Sequence, residues 1–380
     1  MMRNRERSIG IYLHIPFCAR KCFYCDFLSF PCGEEEQGRY VQLLAQEMKG
    51  WQEKLSSAVT DTVFVGGGTP SLLSVPDMDT VFQALHDSFS LEMLSEFSLE
   101  CNPGTVTEEK LSLYRKAGVS RISIGMQSAV EEELRKLGRI HTYGEFMRCC
   151  EMVRRAGFDN VNIDVMAAIP GQTIRSYEET LRCVLSLEPE HISSYSLIIE
   201  EDTPFYEQYA GIPPVDEETD RRMYELTGEL LERADYRRYE ISNYAKPGRE
   251  CRHNLKYWQR GEYLGLGLGA ASFLGHCRFT NERDPAAYRK KVMAGGSPVS
   301  ETEYLSREDE RAEFMYLGLR CMKGVSVREF YRCFGEKPED CFGETIGKCV
   351  AQGLLVCEGD RIYLTKRGID VSNRVFEGFI

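Results

Sequence analysis

The feature that most constrains the fold is an alternation, repeated six times up to about residue 240, of a short β-rich run with a helical pattern. The β-rich runs are Ile9–His14, Thr62–Val65, Phe97–Cys101, Arg121–Gly125, Val161–Met166 and His191–Leu197. Helical patterns follow them, for example Gly38–Trp51, Met78–Phe89, Glu108–Ala117, Tyr143–Ala156 and Ser176–Leu187. Parallel strands need a long crossover, usually a helix, so this order predicts βα units around a parallel sheet.

An open doubly wound sheet and a partial (β/α)6 barrel both satisfy that order, and the placement of unusual polar residues separates them. Cysteines follow the first strand, Gly66-Gly67-Gly68-Thr69-Pro70 the second, and Glu100 and Asn102 the third. Gln127 follows the fourth, Asp164 lies in the fifth and Tyr195 in the sixth. A barrel gathers these strand ends around one mouth, whereas an open sheet spreads them along a crevice. The expectation is an α/β chain with a partial TIM-like barrel over residues 1–240 and a connecting segment over 241–305. A small C-terminal α+β domain completes it over 306–380.

The acidic helical stretch Val215–Arg233 leads into a Gly-rich segment, Gly261–Gly275, and a polar stretch, Asn281–Ser297, that read as connecting structure. Beyond Ser306, helical patterns at Glu308–Arg320, Ser326–Cys333 and Thr345–Gln352 precede a hairpin, Leu354–Cys357 with Arg361–Leu364. Helices followed by a two-stranded wing predict a winged-helix-like unit. It has no strong basic excess, so packing or partner binding suits it better than DNA.

A formal net charge of -12 argues against a general nucleic-acid surface, because phosphate binding wants a basic face. The charged start Met1-Met2-Arg3-Asn4-Arg5-Glu6-Arg7 is not followed by an apolar segment with a cleavage site, and no apolar run is long enough to span a bilayer. A cytoplasmic protein is expected. In such a compartment the 15 cysteines read as thiols or metal ligands rather than a disulfide framework.

One group of them stands out. Cys18-Ala19-Arg20-Lys21-Cys22-Phe23-Tyr24-Cys25 is CxxxCxxC directly after the first strand. Three thiolates are one short of the four that complete a [4Fe–4S] cluster, which leaves one iron open. The amino and carboxylate groups of S-adenosylmethionine (SAM) can fill that position, and one electron from the cluster then breaks a sulfur–carbon bond and releases a 5′-deoxyadenosyl radical. The alternatives are a zinc site completed by His14 and a group of unligated thiols; zinc commonly uses two CxxC knuckles, and no second knuckle is present.

With these residues the chain resembles the radical SAM superfamily, and within it the oxygen-independent coproporphyrinogen III oxidases and their HemW-type heme chaperone relatives. The resemblance runs from end to end. It is carried by Tyr12-Leu13-His14-Ile15-Pro16-Phe17-Cys18, Gly66-Gly67-Gly68-Thr69-Pro70, Gly125-Met126-Gln127-Ser128 and Asn162-Ile163-Asp164. It implies that Tyr12 and Tyr24 flank the cluster, that Gly67, Gly68 and Thr69 line the SAM amino group, and that Glu100, Gln127, Arg139 and Asp164 contact SAM. Chemistry agrees with several of these roles. A glycine run lets a backbone approach a ligand, or merely makes a tight turn; a carboxylate accepts ribose hydroxyls; a guanidinium pairs with a carboxylate. Taken alone, Gln127 and Asp164 fit a satisfied buried polar group equally well.

Three features favour the chaperones within this resemblance. The oxidases extend their motif to CxxxCxxCxC, where this chain has Phe27, and they carry an N-terminal extension, where this chain has a short arm before Tyr12. The third feature is Arg252-His253-Asn254-Leu255-Lys256-Tyr257-Trp258, which matches the chaperones' HNxxYW motif. His253 is thereby a candidate axial ligand, with Tyr257 and Trp258 to pack on a porphyrin, although a lone histidine is more often structural. Lys246, Arg249, Arg252, Lys256 and Arg260 form a basic island able to pair with heme propionates. One departure is Gly269-Ala270-Ala271-Ser272, where relatives often have histidine in the third position. The expected partners are heme, acceptor hemoproteins such as membrane respiratory enzymes, and an electron donor such as flavodoxin or ferredoxin, with the chain a monomer or homodimer. The oxidase is the runner-up; a radical SAM enzyme acting on another substrate is a third reading.

Overall fold

A computed structural model of the chain describes residues 7–210 and 212–380. The charged start, residues 1–6, on which the expectation about targeting partly rests, lies outside them. Six strands lie side by side in chain order and all parallel: β1 Arg7–Ile15, β2 Ala58–Gly67, β3 Glu96–Cys101, β4 Arg121–Gln127, β5 Val161–Ala167 and β6 His191–Ser196. The crossovers between them carry α1 Glu34–Trp51, α2 Val75–Ser88, α3 Glu108–Lys116, α4 Glu131–Lys136, α5 Tyr143–Arg155 and α6 Ile174–Ser186. Thr107, Thr142 and Thr173 each accept a backbone N–H at a helix start, which is why these helices begin where they do.

Each of these strands alternates chemically. Ile11, Leu13, Val63, Phe97, Ile122 and Ile163 join the core under the helices, while their neighbours Tyr12, Glu100, Ser123, Asp164 and Ser193 face the other way. Period-two alternation is what a strand with two different environments demands. Here the inner environment is polar, unlike the packed apolar interior usual in a closed barrel.

The barrel does not close. Beyond β6, after α7 Pro204–Tyr209 and α8 Glu217–Arg233, come antiparallel β8 Asn243–Ala245 and then β7 Arg237–Arg238. On the other side β1 is flanked by parallel β9 Tyr263–Leu266, which follows α9 Arg252–Trp258, and then by antiparallel β10 Ala271–Leu274, β11 Cys277–Asn281 and β12 Val299–Tyr304. The stretch expected to be a connecting segment therefore contributes five strands to the main sheet. Its glycines reflect close backbone approach: a Cβ on Gly265 would lie 2.1 Å from the Ala271 carbonyl oxygen. After α10 Pro285–Met293, the C-terminal part has its own core, including Met315, Phe330, Ile346, Leu355, Ile362 and Val375. It contains α11 Arg307–Gly318, β13 Val325–Ser326, α12 Val327–Phe334 and α13 Pro338–Ala351, then the expected wing, β14 Leu355–Glu358 with β15 Arg361–Leu364. Among the described residues no helix is long and apolar enough to cross a membrane.

Candidate functional site

The cysteine loop leaves β1 and is pinned to the barrel by backbone bonds. Cys18 N–H donates to Phe30 O (3.2 Å), Phe30 N–H to Pro16 O (2.9 Å) and Phe23 N–H to Leu137 O (3.0 Å). This holds Cys18, Cys22 and Cys25, all partly exposed, on the wall of one cavity of about 490 Å³ at the barrel mouth. The same cavity is lined by Tyr24, Gly67, Gly68, Thr69, Glu100, Gln127, Arg139 and Asp164, so the structure brings the expected cluster and SAM residues together, with one exception. Tyr12 lies off the lining and donates its hydroxyl to His14 Nδ1 at 3.0 Å.

That bond also bears on His14 as a fourth ligand of zinc. His14 Nε2–H donates to Leu28 O at 2.9 Å, so both ring nitrogens are used and none faces the thiols. A cubane cluster gives each thiolate its own iron, so its ligands need only surround it. Donors already aim at the sulfurs: Thr69 Oγ1 at Cys18 Sγ (3.5 Å) and Arg139 Nη1 at Cys22 Sγ (3.8 Å). Burial pushes the Cys25 thiol up to about 11, and iron is the kind of charge that would ionise it.

The glycine run packs its backbone closely against β1 and the cysteine loop. Gly67 has φ 111°, and a Cβ there would lie 2.6 Å from the His14 ring. On Gly68 a Cβ would lie 2.6 Å from the Phe17 carbonyl oxygen. Opposite the run, Glu100 accepts the Gly67 N–H at 3.2 Å, and burial, reinforced by Asp164, pushes its carboxyl up to about 8. Burial likewise raises Asp164, although Asn162 Nδ2 and Ser123 Oγ donate to it. Two carboxyl groups held up by desolvation regain ionisation beside a cation, and SAM presents an ammonium and a sulfonium. Arg139 is fixed by Asn102 Oδ1 and Gly125 O, each at 2.7 Å, while its buried Nε has no partner, an orphan donor that a ligand carboxylate would satisfy.

Gln127 occupies the left-handed region at φ 68°, beside a register shift between Gly125 and Gln127, and Tyr195 donates to its Oε1 at 3.1 Å. Such strain in a non-glycine residue is typical of ligand sites. Asn102 has a larger part than its sequence position suggested: it donates to Thr69 at 2.7 Å while bonding Arg139, and so ties the end of the glycine run to the guanidinium. Sequence reasoning missed Ser123 and Ser193 on the lining. Their signal was the polar alternation along β4 and β6.

The heme candidates lie elsewhere. α9 enters the lumen beneath the cavity, reaching its lining through Asn254. Its first N–H groups, of Arg252 and His253, donate to Glu96 at 2.8 and 3.1 Å. His253 is fully buried, its Nδ1 bonded to Thr62 Oγ1 (2.9 Å), its Nε2 to the Tyr257 hydroxyl (2.8 Å), and its ring packed 5.4 Å from that of Phe64. Burial drives its pKa down to about 3. The expectation of an imidazole free to take iron does not fit this geometry, since both nitrogens are committed. Nor does Tyr257 or Trp258 offer an open face: Tyr257 packs against Tyr263 with ring centres 4.6 Å apart, and Arg320 covers Trp258 at 4.3 Å. The basic island is dispersed as well. Lys256 pairs with Asp61, Arg249 with Asp159, and Arg260 with Glu310 and Glu313, while Lys246 donates to Glu188 O.

The Radical SAM superfamily matches residues 12–184, and the HemN C-terminal domain matches residues 305–371. Heme chaperone HemW of Lactococcus lactis is 36% identical, over 99% of this chain and 98% of its own length. The Bacillus subtilis protein of that name is also 36% identical, over 97% of this chain and 98% of its own length, and the Escherichia coli one is 35% identical over 98% of each. Coproporphyrinogen III oxidase (HemN) from Escherichia coli, a radical SAM enzyme, shares the fold, with a TM-score of 0.86 over 100% of this chain and 91% of its own at 21% identity. Similarity this continuous, from the cysteine loop through the C-terminal domain, means that the chain belongs to the HemW family of heme chaperones within the radical SAM superfamily.

Proposed function

We propose that this protein binds heme and delivers it to acceptor hemoproteins, carrying a [4Fe–4S] cluster on Cys18, Cys22 and Cys25 and SAM beside it. The observation that carries the reading is the nearly full-length similarity to HemW heme chaperones. When bound, the cluster supplies single electrons to the SAM sulfonium. The chain's own residues bind and orient. Gly67 and Gly68 let the backbone close on the amino end of the ligand, Glu100 accepts from its ribose, and Arg139 meets its carboxylate. Tyr24, Gln127 and Asp164 complete the pocket, and Tyr12 steadies His14 and through it the loop at Leu28.

The acceptors we favour are membrane respiratory enzymes, the electron donor a flavodoxin or ferredoxin, and the compartment the cytoplasm, with the chain a monomer or homodimer. The experiment is an anaerobic hemin titration of cluster-reconstituted protein, followed at the Soret band, and then transfer to an apo-acceptor. Saturable binding with transfer is expected. The second reading is the oxidase, favoured by the shared HemN fold. Failure of hemin to saturate, together with SAM-dependent loss of carboxyl groups from coproporphyrinogen III, would establish the oxidase instead.

A further inference from the structure

Heme needs a surface that the buried α9 motif does not offer. Three large apolar side chains stand exposed around the barrel mouth, each from a different loop: Phe27 (63% exposed) from the cysteine loop, Ile140 (57%) after α4 and Ile198 (69%) after β6. Single exposed apolar residues are ordinary, but three converging on one opening form the kind of patch that marks a binding site. What touches all three at once must be broad and apolar, because they rise from separate loops around the cavity. The same rim carries charge. Arg20 donates one nitrogen to Gly138 O at 2.6 Å, and Lys21 has no ion-pair partner among the described residues. Asp26 and Glu200 lie on the same lining.

We propose that the barrel mouth is the heme site: the porphyrin face lies across Phe27, Ile140 and Ile198, and its propionates meet Lys21 and Arg20. This rests on the chaperone reading and names the place where that function happens. A flat apolar ring with an anionic edge matches an apolar rim on which Arg20 and Lys21 stand next to each other, with Asp26 and Glu200 the anions on the same lining. The one imidazole on the lining, His141, is 5% exposed and its Nε2 bonds Met126 O at 3.3 Å. The porphyrin face and its propionates are the handle that this rim offers.

The test uses the full-length, cluster-reconstituted protein and its Ile140→Ser/Ile198→Ser variant, neither position lying in the cysteine loop. Hemin is titrated by the Soret band and zinc protoporphyrin IX by fluorescence. A Met93→Ser/Met293→Ser variant removes comparably exposed apolar side chains from elsewhere. We expect the rim variant to weaken both porphyrins by about tenfold or more, at unchanged iron and sulfide content, while the control stays within about twofold. A Lys21→Gln variant, which does lie in the cysteine loop, should weaken both by about threefold to tenfold at unchanged iron and sulfide content, and unchanged affinity would overturn the propionate contact. A rim variant that binds hemin like the parent, or a control that loses as much, overturns the mouth as the site and leaves the chaperone reading standing. A parent that binds no porphyrin saturably overturns both.

Discussion

The sharpest prediction concerns His253, since its burial makes it a structural residue. His253→Ala removes a ring with no exposed surface and two hydrogen bonds, leaving the hydroxyls of Thr62 and Tyr257 unpaired inside the barrel. An intramolecular hydrogen bond contributes about 1 kcal/mol net, and each buried polar group left unsatisfied costs about 1–3 kcal/mol. Adding the void beside Phe64, the expected loss is about 3–5 kcal/mol, a large share of the ~5–15 kcal/mol by which a domain is stable. The assay is urea unfolding followed by circular dichroism at neutral pH. The pH dependence must carry the same signature. His253 has a folded pKa near 3 against about 6.5 when exposed. Neutral His253 therefore contributes stability fully above about pH 6.5, and that contribution is lost as pH falls toward 3. The variant should lack this component. If His253→Ala unfolds within about 0.5 kcal/mol of the parent, the two hydrogen bonds are not formed and the imidazole is available for iron after all.

Other expectations follow from the geometry. Cys22→Ala should abolish the cluster absorbance, and a purified variant with a full complement of iron and sulfide would refute the ligand assignment. Gly68→Ala pushes a methyl to 2.6 Å from the Phe17 carbonyl, backbone that cannot swing aside; SAM affinity measured by equilibrium dialysis should drop at least about tenfold, as expected for ~1.4 kcal/mol or more of misfit. Glu313 is nearly buried and accepts from Arg260 at 2.9 Å and Arg278 at 2.6 Å. Glu313→Ala leaves Arg278 without its carboxylate and Arg260 with Glu310 alone, so we expect about 2 kcal/mol of destabilisation and faster proteolytic release of the C-terminal part; an unchanged digestion pattern would show that these pairs do not hold the two parts together.

The six parallel strands were readable because each is a continuous run of buried or alternating residues bounded by turn signals. The cluster loop was readable because spacing and position coincide at Cys18, Cys22 and Cys25. β9 to β12 were not, since β9 and β10 are four residues each and β12 is nearly all exposed, so neither length nor hydrophobicity marks them. The SAM residues emerged from motif resemblance, with the alternation along β3 to β6 as independent support. Resemblance singled out His253, but its burial and its bond to Thr62, which ties α9 to β2, are invisible in a lone seven-residue helix. Long-range partners such as Glu96, more than 150 residues from the helix start it caps, leave no local trace.

The alternation along the barrel strands has a consequence for how such a scaffold changes over time. Adhesion between strands and helices is handled by one alternate set of side chains on each strand, such as Ile11, Leu13, Val63, Ile122 and Ile163, and the lumen is furnished by the set between them, such as Tyr12, Phe64, Ser123 and Asp164. The two jobs are printed on opposite sides of the same ribbon. A lineage can therefore rewrite every second letter of a strand, and with it the cargo or the reaction, while the letters that keep the walls upright stay as they are.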